Sequence, residues 1–298
     1  MFAYMVEPLY VKSGKDVIAA DFYHPHNIDK PPIILMAPEF ASLRHFKLAQ
    51  FAKRFARAGY AVVLFDYRYW GGSTGRPREL VSIDEQIEDW KTMISHLMGR
   101  KSIDINQIIL WGSGLSAGYV LHLASVLKNI KAVIAQVPFV DGTEYAKVYP
   151  IQYMTKALKI STKDYMGAKI ALASKQIPVV EPSGLSIFPA HDYYEGYLSI
   201  LNLDAFWSGE IPARVFFSLL KFRPILDVQK IQIPTLIIAA KNDSLMPIEA
   251  VRETATNLAF FAEYQEWDMH HFDIYHGKYF EKAILTQLDF LSKTIGTS

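Results

Sequence analysis

The chain has 298 residues, a net charge of +1, no cysteine, and 51% hydrophobic against 20% charged residues. That size suits one large domain or a core with an inserted subdomain. Near-neutral charge gives no electrostatic case for nucleic acid or an anionic membrane. The missing cysteines exclude disulfides and a thiol nucleophile, and no His/Cys cluster has metal-ligand spacing, so no metal or cofactor is expected.

The first stretch, "MFAYMVEPLYVKSGKDV", has no basic segment leading into an apolar one. No signal peptide is therefore expected, and the sequence reads as cytoplasmic. "AYMVEPLYV" and "DVIAADFYH" predict an antiparallel pair joined through "KSGK". "PPIILMA" predicts a buried strand, and "LRHFKLAQFAKRFARAG" a helix ending at Gly59. "YAVVLFDYR" is the next strand, with Asp66 and Arg68 at its end as an ion pair or loop anchor. A helix follows "GGSTGRP", with Ser82 and Glu85 placed for a capping box. "QIILWGS", a helix from "SAGYVLHLASVLK" and the strand "IKAVIAQVPF" complete the first α/β run.

After Phe139 this alternation stops. Residues 140–230 are rich in Tyr and Phe, Phe206 among them, and predict an inserted, mainly helical cap. "HDYYEGY" within it reads as a loop-to-helix start. The rhythm resumes with the strand "IPTLIIAA", the helix "PIEAVRETATNL", the strand "AEYQEWDM" and the helix "KYFEKAILTQLDFLSKT". Alternation with wholly apolar strands predicts an α/β fold with a mainly parallel sheet covered on both faces. Ligands of such sheets bind beyond the carboxyl ends of the strands. The expected core is 1–139 plus 231–298.

"GLSAG", Gly114 to Gly118, stands at a strand-to-helix junction and fits the nucleophile pattern G-x-S-x-G. A serine hydroxyl needs a base to take its proton and a carboxylate to orient that base. Downstream, "AAKNDSLMP" supplies Asp243, and "EWDMHHFDIY" supplies His270 and His271. Each lies where a loop leaves the carboxyl end of a predicted strand. Neighbours on an extended segment point opposite ways, so only one histidine can face the serine.

With these motifs the chain resembles the α/β-hydrolase superfamily. It is most similar to capped bacterial esterase-like members carrying "FDYR…G.S.G.PR", "WG.S.SGG" and "GHFDIY". Here these read "FDYRYWGGSTGRPREL", "WGSGLSAG" and "HHFDIY". Fungal polyketide acyltransferases of similar architecture are neighbours of this group. The resemblance selects His271 and implies a catalytic triad of Ser116, Asp243 and His271. It implies a serine acyl hydrolase, a carboxylesterase or thioesterase working through an acyl-enzyme, with no cofactor. An acyltransferase using an alcohol or amine acceptor is the first alternative, and a non-catalytic binding protein on the same fold the second. Family members carry His-Gly after the third strand, where this chain has Pro38-Glu39. Pro38 has no N–H, which leaves Phe40 as an oxyanion-hole donor beside the Ala117 N–H. Glu39 and His270 are candidate substrate contacts.

Overall fold

The computed structural model describes residues 1–202 and 207–295. Phe206, counted above among the aromatics of the cap, lies outside them. Ten strands and nine helices are defined among the described residues. The strands are β1 (Tyr4–Ser13), β2 (Asp16–Pro25), β3 (Pro32–Ala37), β4 (Ala61–Phe65), β5 (Asp104–Ser113), β6 (Ala132–Gln136), β7 (Gln176–Pro178), β8 (Glu210–Pro212), β9 (Thr235–Ala240) and β10 (Ala262–Trp267). The helices are α1 (Leu48–Arg57), α2 (Ile83–Met98), α3 (Leu115–Val126), α4 (Gly142–Lys147), α5 (Ile151–Lys169), α6 (His191–Ile200), α7 (Val215–Lys221), α8 (Ile248–Asn257) and α9 (Gly277–Ile295).

Eight strands form one sheet in the order β1-β2-β4-β3-β5-β6-β9-β10. The β1–β2 and β2–β4 pairs are antiparallel, and every later pair is parallel. Strands β4, β6 and β9 are buried along their whole length, because helices cover both faces. Apolar runs such as "AVVLF" and "TLIIAA" are therefore continuous rather than alternating.

Three local expectations are corrected. Helix α1 begins at Leu48, not near Leu43. The Arg44 N–H is taken by Asp66 Oδ1 at 2.8 Å and the Phe46 N–H by the Leu43 carbonyl at 3.0 Å, so this stretch is a turn. Ser82 does sit at the N-cap of α2, but its side chain makes no capping bond. Glu85 instead accepts from the Tyr69 hydroxyl at 2.7 Å, so no capping box forms. Asp66 and Arg68 are not an ion pair with each other, while Asp66 does anchor its loops, accepting from the Arg44 and Gly72 N–H groups. Asp66 pairs with Arg44, and Arg68 donates to Asp89 at 2.7 Å.

Between β6 and β9 the chain leaves the sheet. It forms α4 to α7 and a two-stranded antiparallel ribbon of β7 with β8. This segment lies over the carboxyl edge of the sheet. The Tyr197 hydroxyl donates to the Phe40 carbonyl at 2.8 Å and Trp207 Nε1 to the Ala41 carbonyl at 2.9 Å, which fastens it to the loop after β3. No described helix is long and apolar enough to cross a membrane.

Candidate active site

The turn from β5 into α3 positions the site. Its apex is Gly114, with φ 57° and ψ −122°, a conformation that L side chains rarely adopt and glycine tolerates. Gly112 and Gly118 serve packing. A Cβ on Gly112 would collide with the Ser116 carbonyl, and one on Gly118 with the Phe139 carbonyl. The reversal is therefore centred two residues before Ser116.

Ser116 consequently belongs to the first turn of α3 and is fully buried. Its hydroxyl donates to the Pro38 carbonyl and lies 2.5 Å from the Tyr67 hydroxyl, which in turn accepts from Trp90 Nε1 at 2.8 Å. These bonds tie Ser116 to the core. The structure does not bring it to Asp243 and His271, which corrects the triad expected from "GLSAG". Ala117 shifts with it. It is buried in α3 and is not among the cavity-lining residues, whereas Leu115, directly after the apex, lines the cavity with Phe40.

Asp243 and His271 do come together. Asp243 follows β9, and its Oδ1 accepts from the Leu245 and Met246 N–H groups at 3.0 and 3.1 Å. These bonds fix the carboxylate at the mouth of the loop. His271 opens a 3-10 turn, His271–Tyr275, just beyond β10. Its Nδ1 lies 2.7 Å from Asp243 Oδ2. Its Nε2 is buried and has no hydrogen-bond partner among the described residues. The atom across from it is Glu39 Oε1, at 3.5 Å.

Burial alone would lower the His271 pKa, but the Asp243 and Glu39 carboxylates outweigh it and raise the imidazole to about 10. Burial would raise the Asp243 carboxyl, yet the charge and hydrogen bond of His271 hold it below its ordinary value. At neutral pH the pair is an imidazolium between two carboxylates.

Tyr193, from α6 of the inserted segment, completes this group. Its hydroxyl donates to Asp243 Oδ1 at 2.7 Å and lies 2.8 Å from His271 Nδ1. Burial, with the nearby Asp243 charge, pushes its phenol well above the usual range and keeps it protonated. Sequence reasoning passed over this residue as part of a loop-to-helix start. The signal available was "HDYYEGY" itself, a polar and aromatic cluster in a segment expected to cover the strand ends.

His270 points elsewhere. It is exposed, caps the 3-10 turn together with Asp273, and lies 3.6 Å from Asp192. Glu39, in contrast, is buried and lines the cavity. The cavity holds about 30 Å³ between Gly114, Phe40, His271 and the cap residues Tyr145, Phe188, Tyr193 and Leu219. No group of three or more His, Asp or Glu among the described residues is arranged to hold a metal ion.

Comparison with known proteins places this geometry among hydrolases. The family model described as serine aminopeptidase, S33, matches residues 45–279. The quorum-quenching protein AidA of Acinetobacter baumannii is 32% identical over 93% of this chain and 91% of its own length. The thiohydrolase aneE of Aspergillus aculeatus is 24% identical over 89% of this chain and 86% of its own. Among solved structures, the α/β hydrolase GrgF from Penicillium sp. sh18 superposes with a TM-score of 0.86 at 20% identity, covering 98% of this chain and all of that one.

Proposed function

Because the chain belongs to the serine aminopeptidase S33 family of α/β hydrolases, we propose that it hydrolyses a small acyl ester or thioester, and does so without an acyl-serine. The observation that carries this reading is the pairing of His271 with Asp243, with an Nε2 that has no hydrogen-bond partner and faces a cavity at a glycine apex. A substrate carbonyl seated above Gly114 would meet Nε2 on one side. The backbone N–H groups of Phe40 and Leu115 would meet its oxygen on the other, as an oxyanion hole. Leu115 opens α3, so its N–H has no intrahelical acceptor. Asp243 and Tyr193 hold the imidazole in orientation. The relative named a thiohydrolase supports an acyl substrate.

Entry of the acyl group requires the cap to part, since Tyr145, Phe188, Tyr193 and Leu219 close the cavity.

The test is turnover of a panel of p-nitrophenyl esters and acyl thioesters by the full chain. Intact-mass spectrometry after fluorophosphonate treatment accompanies it. The expected result is hydrolysis with no fluorophosphonate adduct on any serine. An adduct would restore a serine mechanism. A folded chain that turns over no member of the panel would favour a binding protein that has kept the fold.

A further inference from the structure

Glu39 is a buried carboxylate, and a buried charge is costly unless its oxygens are satisfied. Its Oε2 accepts from the Tyr275 hydroxyl at 2.6 Å. Tyr275 is also 2.6 Å from Ser113 Oγ, which accepts from Gln136 Nε2 at 3.0 Å. Gln136 Oε1 accepts from Gln287 Nε2 at 2.9 Å, and Gln287 Oε1 from Trp111 Nε1 at 2.9 Å. The phenol has one proton and a carboxylate has none to give. The Tyr275 proton therefore goes to Glu39, and Ser113 donates to the phenol oxygen. Every donor along this buried chain then points toward Glu39, and such a chain polarises its members cooperatively. It fixes Oε2 and leaves Oε1 without a hydrogen bond, facing His271 Nε2 at the cavity.

Oε1 also occupies the position that matters. A Cβ built on Gly114 would lie 3.4 Å from it and 3.1 Å from Glu39 Cβ. The carboxylate fills the space above the apex that a side chain of residue 114 would take. His271 Nε2 is 3.5 Å away, an ion-pair contact too long for a good hydrogen bond, so the acid–base group and the carboxylate stand side by side on the cavity wall.

We propose that Glu39 is the nucleophile of this chain and that its substrate is a thioester. The inference rests on the acyl-hydrolase reading above. In the first step Oε1 bonds to the acyl carbon and the C–S bond breaks. The electron pair leaves on sulfur, and the His271 imidazolium supplies the proton from Nε2. The products are a thiol, a mixed anhydride of the acyl group with Glu39, and a neutral imidazole. In the second step that imidazole takes a proton from water, and the resulting hydroxide attacks the acyl carbon. The anhydride C–O bond breaks, releasing the carboxylic acid and restoring both the Glu39 carboxylate and the imidazolium. The sum is thioester plus water giving acid plus thiol.

The leaving group selects the substrate. A carboxylate that attacks a carbonyl is itself readily expelled again. A thiol of pKa about 8.5 leaves competitively. An alkoxide, whose conjugate acid is closer to water at about 15.7, does not. Carboxylate side chains are established covalent nucleophiles where the leaving group permits.

The experiment uses S-phenyl thioacetate and the full chain as wild type, Glu39→Gln and His271→Ala, acid-quenched within the first turnover and read by intact mass and peptide mapping. His271→Ala is expected to release about one thiophenol per chain and to carry an acetyl group on the peptide bearing Glu39, because acylation needs no acid for so good a leaving group while deacylation lacks its base. Glu39→Gln is expected to show no acetyl group and at least a hundredfold loss of turnover. Its melting temperature should fall modestly, because the His271 imidazolium loses one of its two carboxylates while the amide oxygen still accepts from Tyr275. A Glu39→Gln chain that keeps a tenth or more of the rate, or a His271→Ala chain without acetyl on Glu39, overturns the nucleophile and leaves the hydrolase reading standing, with water attacking directly. Wild type inert toward every ester and thioester overturns both.

Discussion

The β5–α3 turn has two sides, and they carry opposite chemistry. On the cavity side the apex is Gly114, with Glu39, His271 and Asp243 gathered above it. On the core side Ser116 is bound to Pro38 and Tyr67 and buried beneath α3. The side with the reactive-looking residue is structural, and the side with no side chain at its apex faces the reactive groups. What separates them is which residue takes the positive φ. Rotating the reversal by two residues moves a serine from a cavity into a core.

The largest expected effect tests the cavity side. Replacing His271 by Ala removes the imidazole that faces the cavity, and thioester or ester turnover should fall by about 10²–10⁴, the usual worth of a positioned acid–base group. The measurement is steady-state kcat/KM on the most reactive ester or thioester found. A loss under tenfold would break the assignment of the cavity side.

The second test is pH. Asp243 and Glu39 flank His271, and the Tyr193 hydroxyl also touches its Nδ1. The imidazole is raised from 6.5 to about 10. A raised folded-state pKa adds stability that is complete below the unfolded value and is lost as pH rises through the folded one. The gap in melting temperature between wild type and His271→Ala should therefore be largest below about pH 6.5 and close as pH approaches 10. Turnover should not climb between pH 6 and 8, as it would if a neutral histidine of ordinary pKa near 6.5 were the base. A climb there would mean that the resting imidazole is neutral.

The third is smaller. Tyr193→Phe removes one hydrogen bond to Asp243 while the Leu245 and Met246 N–H groups remain. A hydrogen bond to a charged carboxylate contributes about 1.5–3 kcal/mol, so kcat/KM should drop about tenfold or somewhat more. An unchanged rate would make Tyr193 part of the cap's packing alone.

Much of the site could be read in the sequence. Asp243 could be placed because it follows the buried, apolar strand β9, and His271 because it follows the next strand, β10, and a parallel sheet delivers such loops to one edge. The placement of Ser116 away from His271 has a physical origin. "GSGLSAG" holds two overlapping frames, Gly112-Ser113-Gly114-Leu115-Ser116 and Gly114-Leu115-Ser116-Ala117-Gly118. Glycine at both ends of the second frame satisfies the pattern as a string. The turn, however, needs φ > 0 directly after β5 ends at Ser113, and that residue is Gly114. The clue was available in the related pattern "WG.S.SGG". Aligned on Trp111, its first serine falls on Gly114 and its second on Ser116. The Pro38-Glu39 departure had the same source. It marks the loop whose carboxylate fills the space vacated at the apex. Tyr193 was harder, because no periodic pattern says which aromatic of a covering segment turns inward.

The smallest expected effect on activity separates the two sides most sharply. Ser116→Ala deletes a hydroxyl that no cavity residue contacts, so turnover should stay within about threefold of wild type. Its loss falls on the core. The Pro38 carbonyl and the Tyr67 hydroxyl lose their common partner, and Tyr67 keeps only its bond from Trp90. Leaving buried polar atoms unpaired costs about 1–3 kcal/mol, visible as a lower urea midpoint at unchanged slope. Were Ser116 the nucleophile instead, the same substitution would abolish turnover and leave stability nearly untouched. The two measurements thus move in opposite directions under the two registers of the turn. One variant, assayed for both rate and unfolding, decides on which side of α3 the chemistry lies.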